Sequence, residues 1–415
     1  MLEPVSTADR VEILDVLRGF AIFGILLVNM EAFGWPLVLV NAQEWPRMVD
    51  RVADWLISFF AQGKFYPLFA FLFGYGLTIQ MAHLEARGAR FIPLYLRRLS
   101  VLLLIGAAHT LLLWMGDILI TYALVGFPLL LFRTRRPKTL LLWALIGVLI
   151  TVALYAASVR PVEYLTRRAI GSPRIEQPPG QRGVLDWFDA RRTVHIYSRG
   201  PYGQIFRQRL AEAALVHVAG FIFLPHLFAL FLLGLYAGRR RLLHDIPGHL
   251  PFFRKILPWA LGIGIAGNLV AVVAEEYTRY VEMPRIEFLG VLSNLVGGPA
   301  LTFCYVSAFV LVASGEARRL LRPLAEVGRM ALSNYLLQSL ICTTIFYSYG
   351  LGLYGQVGPA RGLAIAIAIF LAQIPLSVWW LRRFRFGPAE WLWRSLTYGR
   401  LQPMRIAASG ATGAG

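Results

Sequence analysis

The sequence predicts an all-α integral membrane protein with about ten transmembrane helices, and three observations support this fold class. The 415-residue chain is 57% hydrophobic and only 15% charged, whereas soluble chains contain about 25% charged residues. Its apolar residues form runs of roughly the 20 residues that a spanning helix needs. The basic residues behind the net charge of +18 cluster at the ends of these runs, as membrane topology requires. We therefore expect a lipid bilayer around the chain and no nucleic-acid partner.

Ten apolar segments follow one another along the chain. Their approximate ranges are 17–40, 57–82, 98–115, 117–133, 138–158, 213–237, 256–275, 287–313, 329–349 and 361–381. Only Met115, Gly116 and Asp117 separate the third segment from the fourth, which predicts a helical hairpin. The predicted parts are a five-helix bundle (1–158), a long polar loop (159–212), a second five-helix bundle (213–400) and a flexible tail (401–415).

The distribution of charge predicts the orientation of the chain. With the N-terminus in the cytoplasm, basic clusters such as Arg97-Arg98 and Arg318-Arg319 lie inside, and the acidic pair Glu275-Glu276 lies outside. The even number of segments then places both termini in the cytoplasm, as expected for a multi-pass protein of the bacterial inner membrane. The acidic residues near the start do not fit a signal peptide. The 159–212 loop would lie outside, where long loops are often lids or binding elements.

Polar side chains within apolar segments are the main functional signal, because they are costly in hydrocarbon. In the first segment Asp15, Arg18 and Asn29 share one helical face, since their spacings are close to whole turns. Asp15 and Arg18 are expected to pair at the cytoplasmic edge. Asn29 either lines a site or makes a hydrogen bond between helices. Lys64 in the second segment either faces the bundle interior or extends to the membrane interface.

His109 lies deep in the third segment, and Asp117 begins the fourth across the short hairpin. A histidine with a carboxylate beside it can serve as a general base with its orienting group. The alternative is a structural histidine together with an ordinary helix N-cap. We predict His109, Asp117 and Asn29 as the catalytic group.

Further along the chain, Asn334 and Gln338 are four residues apart on one face of the ninth segment. They either contact a ligand or join neighbouring helices by hydrogen bonds. Gly297, Gly298 and Pro299 predict a break within the eighth segment. Cys304 and Cys342 show neither a disulfide framework nor zinc spacing, so no metal is expected.

Six stretches of the chain together resemble the YeiB-like family of bacterial membrane proteins, known as a domain of unknown function. These stretches are LDVLRGFAIFGILLVNM (14–30), GKFYPLFAFLFGYGL (63–77), RRLSVLLLIGAAHTLLLWMGDILITYALVG (97–126), YSRGPYGQIFRQRL (197–210), GRMALSNYLLQSL (328–340) and FGPAEWLWRSLTYG (386–399). The resemblance extends over nearly the whole chain.

The YeiB-like family is similar to transmembrane acyltransferases such as heparan-alpha-glucosaminide N-acetyltransferase. This similarity implies transfer of an acyl group from cytoplasmic acyl-CoA to a small-molecule or glycan acceptor outside, and it is compatible with a homodimer. It matches Asn29 with an asparagine near the active site of that enzyme. The catalytic histidine of that enzyme follows its first helix, whereas residues 31–51 of this chain contain no histidine. His109 is therefore predicted from its own position and chemistry.

Three functions remain open from the sequence. In the first, a transmembrane acyltransferase holds the phosphates of acyl-CoA with arginines at the cytoplasmic helix ends. The residues expected to bind acyl-CoA are Arg18, Arg97, Arg98, Asn334 and Gln338. In the second, a transporter or flippase moves a small amphipathic solute along the same polar residues. In the third, the chain is a non-catalytic membrane partner.

Overall fold

The computed structural model describes residues 11–39, 45–88, 90–171, 189–278 and 283–406. The described part of the chain forms fifteen α-helices, numbered here in chain order. The first six are α1 (Glu12–Gly34), α2 (Met48–Phe60), α3 (Phe65–Glu85), α4 (Phe91–Leu112), α5 (Leu119–Leu129) and α6 (Pro137–Gly171). The next five are α7 (Ala190–Arg199), α8 (Tyr202–Gly220), α9 (Leu224–Arg239), α10 (Ile246–Thr278) and α11 (Pro284–Ala313). The last four are α12 (Arg318–Arg329), α13 (Ala331–Phe346), α14 (Pro359–Leu381) and α15 (Pro388–Tyr398).

Eight stretches among the described residues are long and apolar enough to cross a membrane, by length and composition. Two shorter apolar helices, Leu119–Phe132 and Ala331–Phe346, correspond to the fourth and ninth predicted segments. Each of the ten segments predicted from the sequence thus contains an apolar helix. The prediction of an all-α, multi-pass membrane protein is confirmed.

Local sequence explains where the first helices end. α1 ends at Gly34 because Trp35 takes the extended conformation that the following Pro36 favours. The second predicted segment, 57–82, covers the end of α2 and most of α3, which are separate helices within one apolar stretch. Between them Gly63 has a φ of +80°, and an added Cβ there would meet the side chain of Asn294. Glycine is the residue that adopts this conformation without strain.

The prediction of a loop over 159–212 is wrong for most of its length. Residues 172–188 lie outside the described residues, but α7 and α8 follow them, and α8 begins well before the predicted sixth segment at 213. Polar residues of α7 and α8 have partners inside the protein. Tyr197 on α7 donates a hydrogen bond to Glu212 Oε2 on α8 at 2.6 Å. Polar residues that would suit a solvated loop are therefore part of the helical core.

The predicted break at residues 297–299 is also wrong, because α11 runs unbroken from Pro284 to Ala313. The glycines instead allow close packing of α11 on α10. An added Cβ at Gly297 would lie 2.9 Å from the Cα of Gly267, closer than packed side-chain atoms approach.

α1 is the central helix of the bundle and contacts α3, α12, α13 and α14. α3 also packs along α9, while α15 packs on α4 and α13. Helices from both halves of the sequence therefore build shared contacts. At the closest crossing, an added Cβ on Gly328 would overlap the carbonyl oxygen of Asp15. This crossing joins α1 and α12 at the end of the bundle where α3 ends and α4 begins, which we call the basic end.

Candidate functional site

A hydrogen-bonded chain of three side chains lies buried where α4, α5 and α13 meet. His109 Nδ1 is 2.8 Å from Asp117 Oδ2, and His109 Nε2 is 2.8 Å from Ser339 Oγ. The side chains of His109 and Asp117 have no exposed surface, and Ser339 is fully buried. We call these three residues the His109 cluster.

Asp117 makes the contacts that both alternatives from the sequence require. Its Oδ1 accepts a hydrogen bond from the backbone N–H of Ile120 at 2.8 Å and so caps the first turn of α5. Its Oδ2 faces His109. A carboxylate only accepts hydrogen bonds, so His109 Nδ1 donates to Asp117, and Nε2 is placed to accept from the Ser339 hydroxyl. The cluster therefore has the polarity of a nucleophile, a base and an orienting acid.

Sequence reasoning missed Ser339, although it lies beside the predicted Gln338. No local motif marks it, because its partner is 230 residues away in the chain. Its spacing from Tyr335 was the one available signal, since residues four apart share a helical face. Tyr335 packs against His109 with a ring separation of 5.1 Å.

An apolar cavity of about 310 Å³ opens at the basic end and runs inward between α1, α3, α4 and α13. Its inner wall is formed by aliphatic and aromatic side chains that include Ile25, Leu72 and Leu102. The charged residues that line it are Asp15, Arg18, Arg98, Arg329, Glu390 and Arg394. We call this space the arginine cavity. Its volume is at the lower end of the range for small-molecule sites.

The arginines of this cavity come from four helices and differ in their partners. Arg18 donates to Asp15 at 2.6 Å, as the sequence predicted, and Arg329 donates to Glu326 at 2.6 Å. The Arg98 guanidinium stacks on the Trp393 ring with its carbon 3.9 Å from the ring centre. A stacked guanidinium can still donate from its edges, and the Nε and Nη1 of Arg98 face the side-chain amide of Gln80 at 3.0 and 3.3 Å.

α15 contributes two charged groups with shifted pKa values to the cavity. Burial lowers the pKa of the Arg394 guanidinium, and neighbouring Tyr398 and Glu390 oppose this shift. Burial raises the pKa of the Glu390 carboxyl, and hydrogen bonds from Ser333 oppose that shift. Glu390 accepts from the backbone N–H of Leu332 at 2.7 Å, so it also caps α13. The positive charges outnumber the negative ones, which favours an anionic ligand.

A wider groove adjoins the arginine cavity at the basic end. It has a volume of about 1170 Å³ and shares Val11, Ile79 and His83 with the cavity. Its charged lining residues are Glu12, Glu85, Arg239, Arg241 and Arg318, together with the imidazoles of His83 and His244. We call this space the basic groove. A narrow apolar cavity that continues into a wide basic groove suits an amphipathic molecule with a large anionic head.

Tyr335 separates the arginine cavity from the His109 cluster. Its side chain lines the cavity on one side and contacts the His109 ring on the other. Its hydroxyl donates to the carbonyl oxygen of Gly116 at 3.3 Å, a long hydrogen bond. Tyr335 therefore lies between the cavity and His109, and His109 in turn is bonded to the buried Ser339.

The other residues predicted for the site lie elsewhere. Asn29 is half-buried and lies outside the His109 cluster. Arg97 is exposed beside Gly399 and does not line the arginine cavity. Asn334 donates to Ser377 Oγ at 3.1 Å, and Gln338 donates to Gln373 Oε1 at 2.8 Å. These two amides therefore join α13 to α14, the packing function that the sequence left open.

Lys64 does not extend to the membrane interface. It is fully buried, and its Nζ donates to the carbonyl oxygen of Ser58 at 2.8 Å and to that of Gln62. These carbonyls belong to the end of α2, where a cation compensates the helix dipole. The side chain thus stabilises the junction of α2 and α3.

Trp114 supplies a buried donor near the His109 cluster. Its indole ring stacks on Phe33 with a separation of 4.1 Å and lies 6.5 Å from the His109 ring. Its Nε1 has no hydrogen-bond acceptor among the described residues. A buried N–H without an acceptor costs free energy unless it gains a partner.

The described residues contain no group of three or more His, Cys, Asp or Glu side chains placed to hold a metal ion.

Comparison with known proteins gives one family and several bacterial relatives. The family described as "Protein of unknown function (DUF418)" matches residues 237–400. The chain is 39% identical to the uncharacterized protein YxaH of Bacillus subtilis (strain 168), over 97% of this chain and 98% of that protein. It is 34% identical to the uncharacterized protein YeiB of Escherichia coli (strain K12), over 94% of this chain and 96% of that protein. A 39.9 kDa protein of Bacillus acidopullulyticus is 29% identical over 98% of this chain and 99% of that protein.

Proposed function

The chain belongs to the DUF418 family of YeiB-like membrane proteins, and from that premise we propose that it is a transmembrane acyltransferase of the bacterial inner membrane. In this proposal acyl-CoA binds at the basic end, and the acyl group passes to a hydroxyl or amine acceptor from the opposite side of the membrane. The arginine cavity is the observation that carries the proposal. It combines an apolar interior, arginines at its entrance and an inner end next to a histidine that can act as a base.

The shape and charge of the basic end suit the two parts of acyl-CoA. The nucleotide would lie in the basic groove near Arg241, and the phosphates would lie where this groove meets Arg18 and Arg98 at the entrance of the arginine cavity. The acyl chain and the thioester would extend into the arginine cavity past Arg18 and Arg98. The eleven residues from Arg98 to His109 along α4 span about 16 Å. The flexible arm between phosphates and thioester is of comparable length.

His109 is the proposed general base. Its Nε2 would take the proton of the attacking hydroxyl or amine, and the thioester C–S bond would break as the acyl bond forms. Asp117 would hold the imidazole in the reactive tautomer and stabilise its charge. The buried position excludes bulk water, which would otherwise hydrolyse the thioester.

A transporter or flippase of an amphipathic anion is the second proposal, and the same cavity favours it. Substrate would enter from the basic end and leave past Tyr335. The unbroken α11 removes the feature of the sequence that favoured a transporter, because transporter sites are often built on interrupted helices. A non-catalytic membrane partner would bind neither an acyl donor nor a transported solute.

Reconstituted protein separates these functions. Proteoliposomes are incubated with acetyl-CoA or octanoyl-CoA on one side and with glucosamine or glucose on the other, and both the released thiol and the acylated sugar are measured. The acyltransferase proposal predicts repeated turnover, with thiol release that depends on the acceptor and that His109→Ala abolishes, while acyl-CoA binding stays unchanged. The melting temperature of His109→Ala should fall, because Asp117 loses a buried hydrogen-bond partner. Full thiol release by His109→Ala would remove His109 as the base. Uptake of the labelled donor without cleavage of the thioester would favour the transporter.

A further inference from the structure

The His109 cluster contains a hydroxyl that the direct transfer step above does not use. We propose that Ser339 is a nucleophile that carries the acyl group covalently between donor and acceptor. This inference rests on the proposed function for the identity of its acyl donor. It adds a catalytic residue and a covalent intermediate to that function.

The occupied state of His109 Nε2 is the first reason. The nitrogen that would act as base is already bonded to Ser339 Oγ at 2.8 Å, so the first hydroxyl it can deprotonate belongs to the protein. The opposite nitrogen is held by Asp117 at 2.8 Å. A hydroxyl bonded to a base that a carboxylate orients is the general arrangement of an activated nucleophile.

The direction of the Ser339 side chain is the second reason. Hydroxyls inside helices commonly donate back to the carbonyl four residues earlier, as Thr344 does to Leu340 at 2.8 Å on the same helix. Ser339 is instead bonded across the helix interface to an imidazole. The hydrogen bond between Asp117 and His109 does not depend on Ser339, so a purely structural role of this pair would not need a serine at position 339.

Access from the arginine cavity is the third reason. Tyr335 lies one helical turn before Ser339 on α13 and lines the inner end of the cavity. The hydrogen bond from its hydroxyl to the carbonyl oxygen of Gly116 is long. Movement of the Tyr335 side chain would open the cavity towards the His109 ring, whose Nε2 is bonded to Ser339 Oγ.

The two half-reactions balance. Ser339 Oγ attacks the thioester carbonyl carbon while His109 Nε2 takes the hydroxyl proton. The C–S bond then breaks, and the CoA thiolate takes that proton and leaves, so an ester on Ser339 remains. In the second half the acceptor hydroxyl or amine gives its proton to His109 and attacks the ester. Ser339 Oγ leaves and recovers the proton. CoA therefore departs before the acceptor reacts, and donor and acceptor never need to occupy the site together.

Mass spectrometry of the intact protein tests the intermediate. Purified protein in lipid nanodiscs is incubated with octanoyl-CoA without acceptor, quenched in acid, weighed and mapped by peptide fragmentation. One octanoyl group should appear on Ser339, with one equivalent of thiol released. Ser339→Ala and His109→Ala should lower this labelling by about 100-fold or more. Ser307→Ala removes an equally buried serine on α11 and should leave it unchanged.

Cys342 is the necessary control, because it lies three residues from Ser339 on α13 and its thiol could acquire the acyl group directly. Neutral hydroxylamine cleaves thioesters much faster than serine esters. The Ser339 adduct should therefore survive brief neutral hydroxylamine and persist in Cys342→Ala. An adduct that hydroxylamine removes, or that Cys342→Ala abolishes, would overturn the proposal.

A second probe separates failure of this inference from failure of the proposed function. An alkyl fluorophosphonate reacts with activated serines without needing CoA. Saturable octanoyl-CoA binding with neither a Ser339 adduct nor phosphonate labelling would refute the nucleophile and leave the acyltransferase proposal standing. Phosphonate labelling of Ser339 without any acyl-CoA binding would refute CoA as donor and support the nucleophile.

Discussion

Arg98 and its neighbour Arg97 provide a matched pair for testing the arginine cavity. Arg98 lines the cavity and stacks on Trp393, whereas Arg97 is exposed beside Gly399. A hydrogen bond to a charged group contributes about 1.5–3 kcal/mol. At 1.4 kcal/mol for each factor of ten, Arg98→Ala should weaken acyl-CoA binding by about 10- to 150-fold. Arg97→Ala should change it by less than about twofold, because exposed charges are screened by solvent.

The assay is calorimetric titration with octanoyl-CoA in nanodiscs at low and high salt. The affinity of the unaltered protein and of Arg97→Ala should fall with salt, and that of Arg98→Ala should fall less steeply, since one ionic contact is missing. Arg98→Lys keeps the charge but loses the planar stack, so intermediate affinity is expected. Melting temperatures monitor folding, since Arg98→Ala also removes packing on Trp393. Equal weakening by Arg97→Ala and Arg98→Ala would refute the assignment of the phosphates to this cavity.

Three further predictions concern the site and its support. Asp117→Asn keeps the cap on α5 but favours the wrong imidazole tautomer, so transfer should fall by about 10³-fold or more with unchanged donor affinity. Glu390→Gln should flatten the pH dependence of the melting temperature. Burial raises the pKa of the Glu390 carboxyl in the folded protein above 4.5, so its protonated form stabilises the fold below pH 4.5. This stabilisation is lost as the pH rises through the pKa of the folded state. Gly328→Ala should lower stability by about 1–3 kcal/mol, measured by denaturant unfolding, because its Cβ overlaps the Asp15 carbonyl.

Each of these predictions has an outcome that contradicts it. Undiminished transfer by Asp117→Asn would mean that the carboxylate serves only as a helix cap. If the melting temperature of Glu390→Gln depends on pH as strongly as that of the unaltered protein, other titrating groups cause the dependence. Unchanged stability of Gly328→Ala would mean that α1 and α12 can separate without cost. The change Gly76→Ala is its control, since no atom lies within 4 Å of a Cβ added there.

The sequence predicted the membrane fold well because hydrocarbon imposes a strong and simple constraint. Apolar runs of spanning length and the basic residues at their ends identify segments without knowledge of packing. The errors occur where packing decides the structure. Gln208, Arg209 and Glu212 suggest a solvated loop, yet they are buried in α8. Gly297 and Pro299 suggest a break, yet close contact with α10 keeps α11 continuous.

The site was predictable only where its residues are close in sequence. The hairpin after α4 is so short that His109 and Asp117 had to lie near each other, and they form a hydrogen bond. Ser339 was not predictable, because its contact with His109 depends on how α13 packs against α4. Arg97 and Arg98 are equivalent in sequence, and only the orientation of α4 separates the exposed side chain from the one in the cavity. The division into two five-helix bundles and a homodimer remain predictions from sequence and resemblance.

The central claim is that the arginine cavity binds the acyl chain of acyl-CoA, and a chain-length series tests it most directly. Free CoA and acetyl-, butyryl-, octanoyl- and palmitoyl-CoA are titrated into the protein in nanodiscs. Burial of each methylene contributes up to about 0.8 kcal/mol, so affinity should rise by up to about fourfold per methylene until the cavity is full. One site per chain, tightening with chain length and weakened by Arg98→Ala, is the predicted result. Equal affinity for free CoA and every acyl-CoA, or no saturable binding, would contradict the claim.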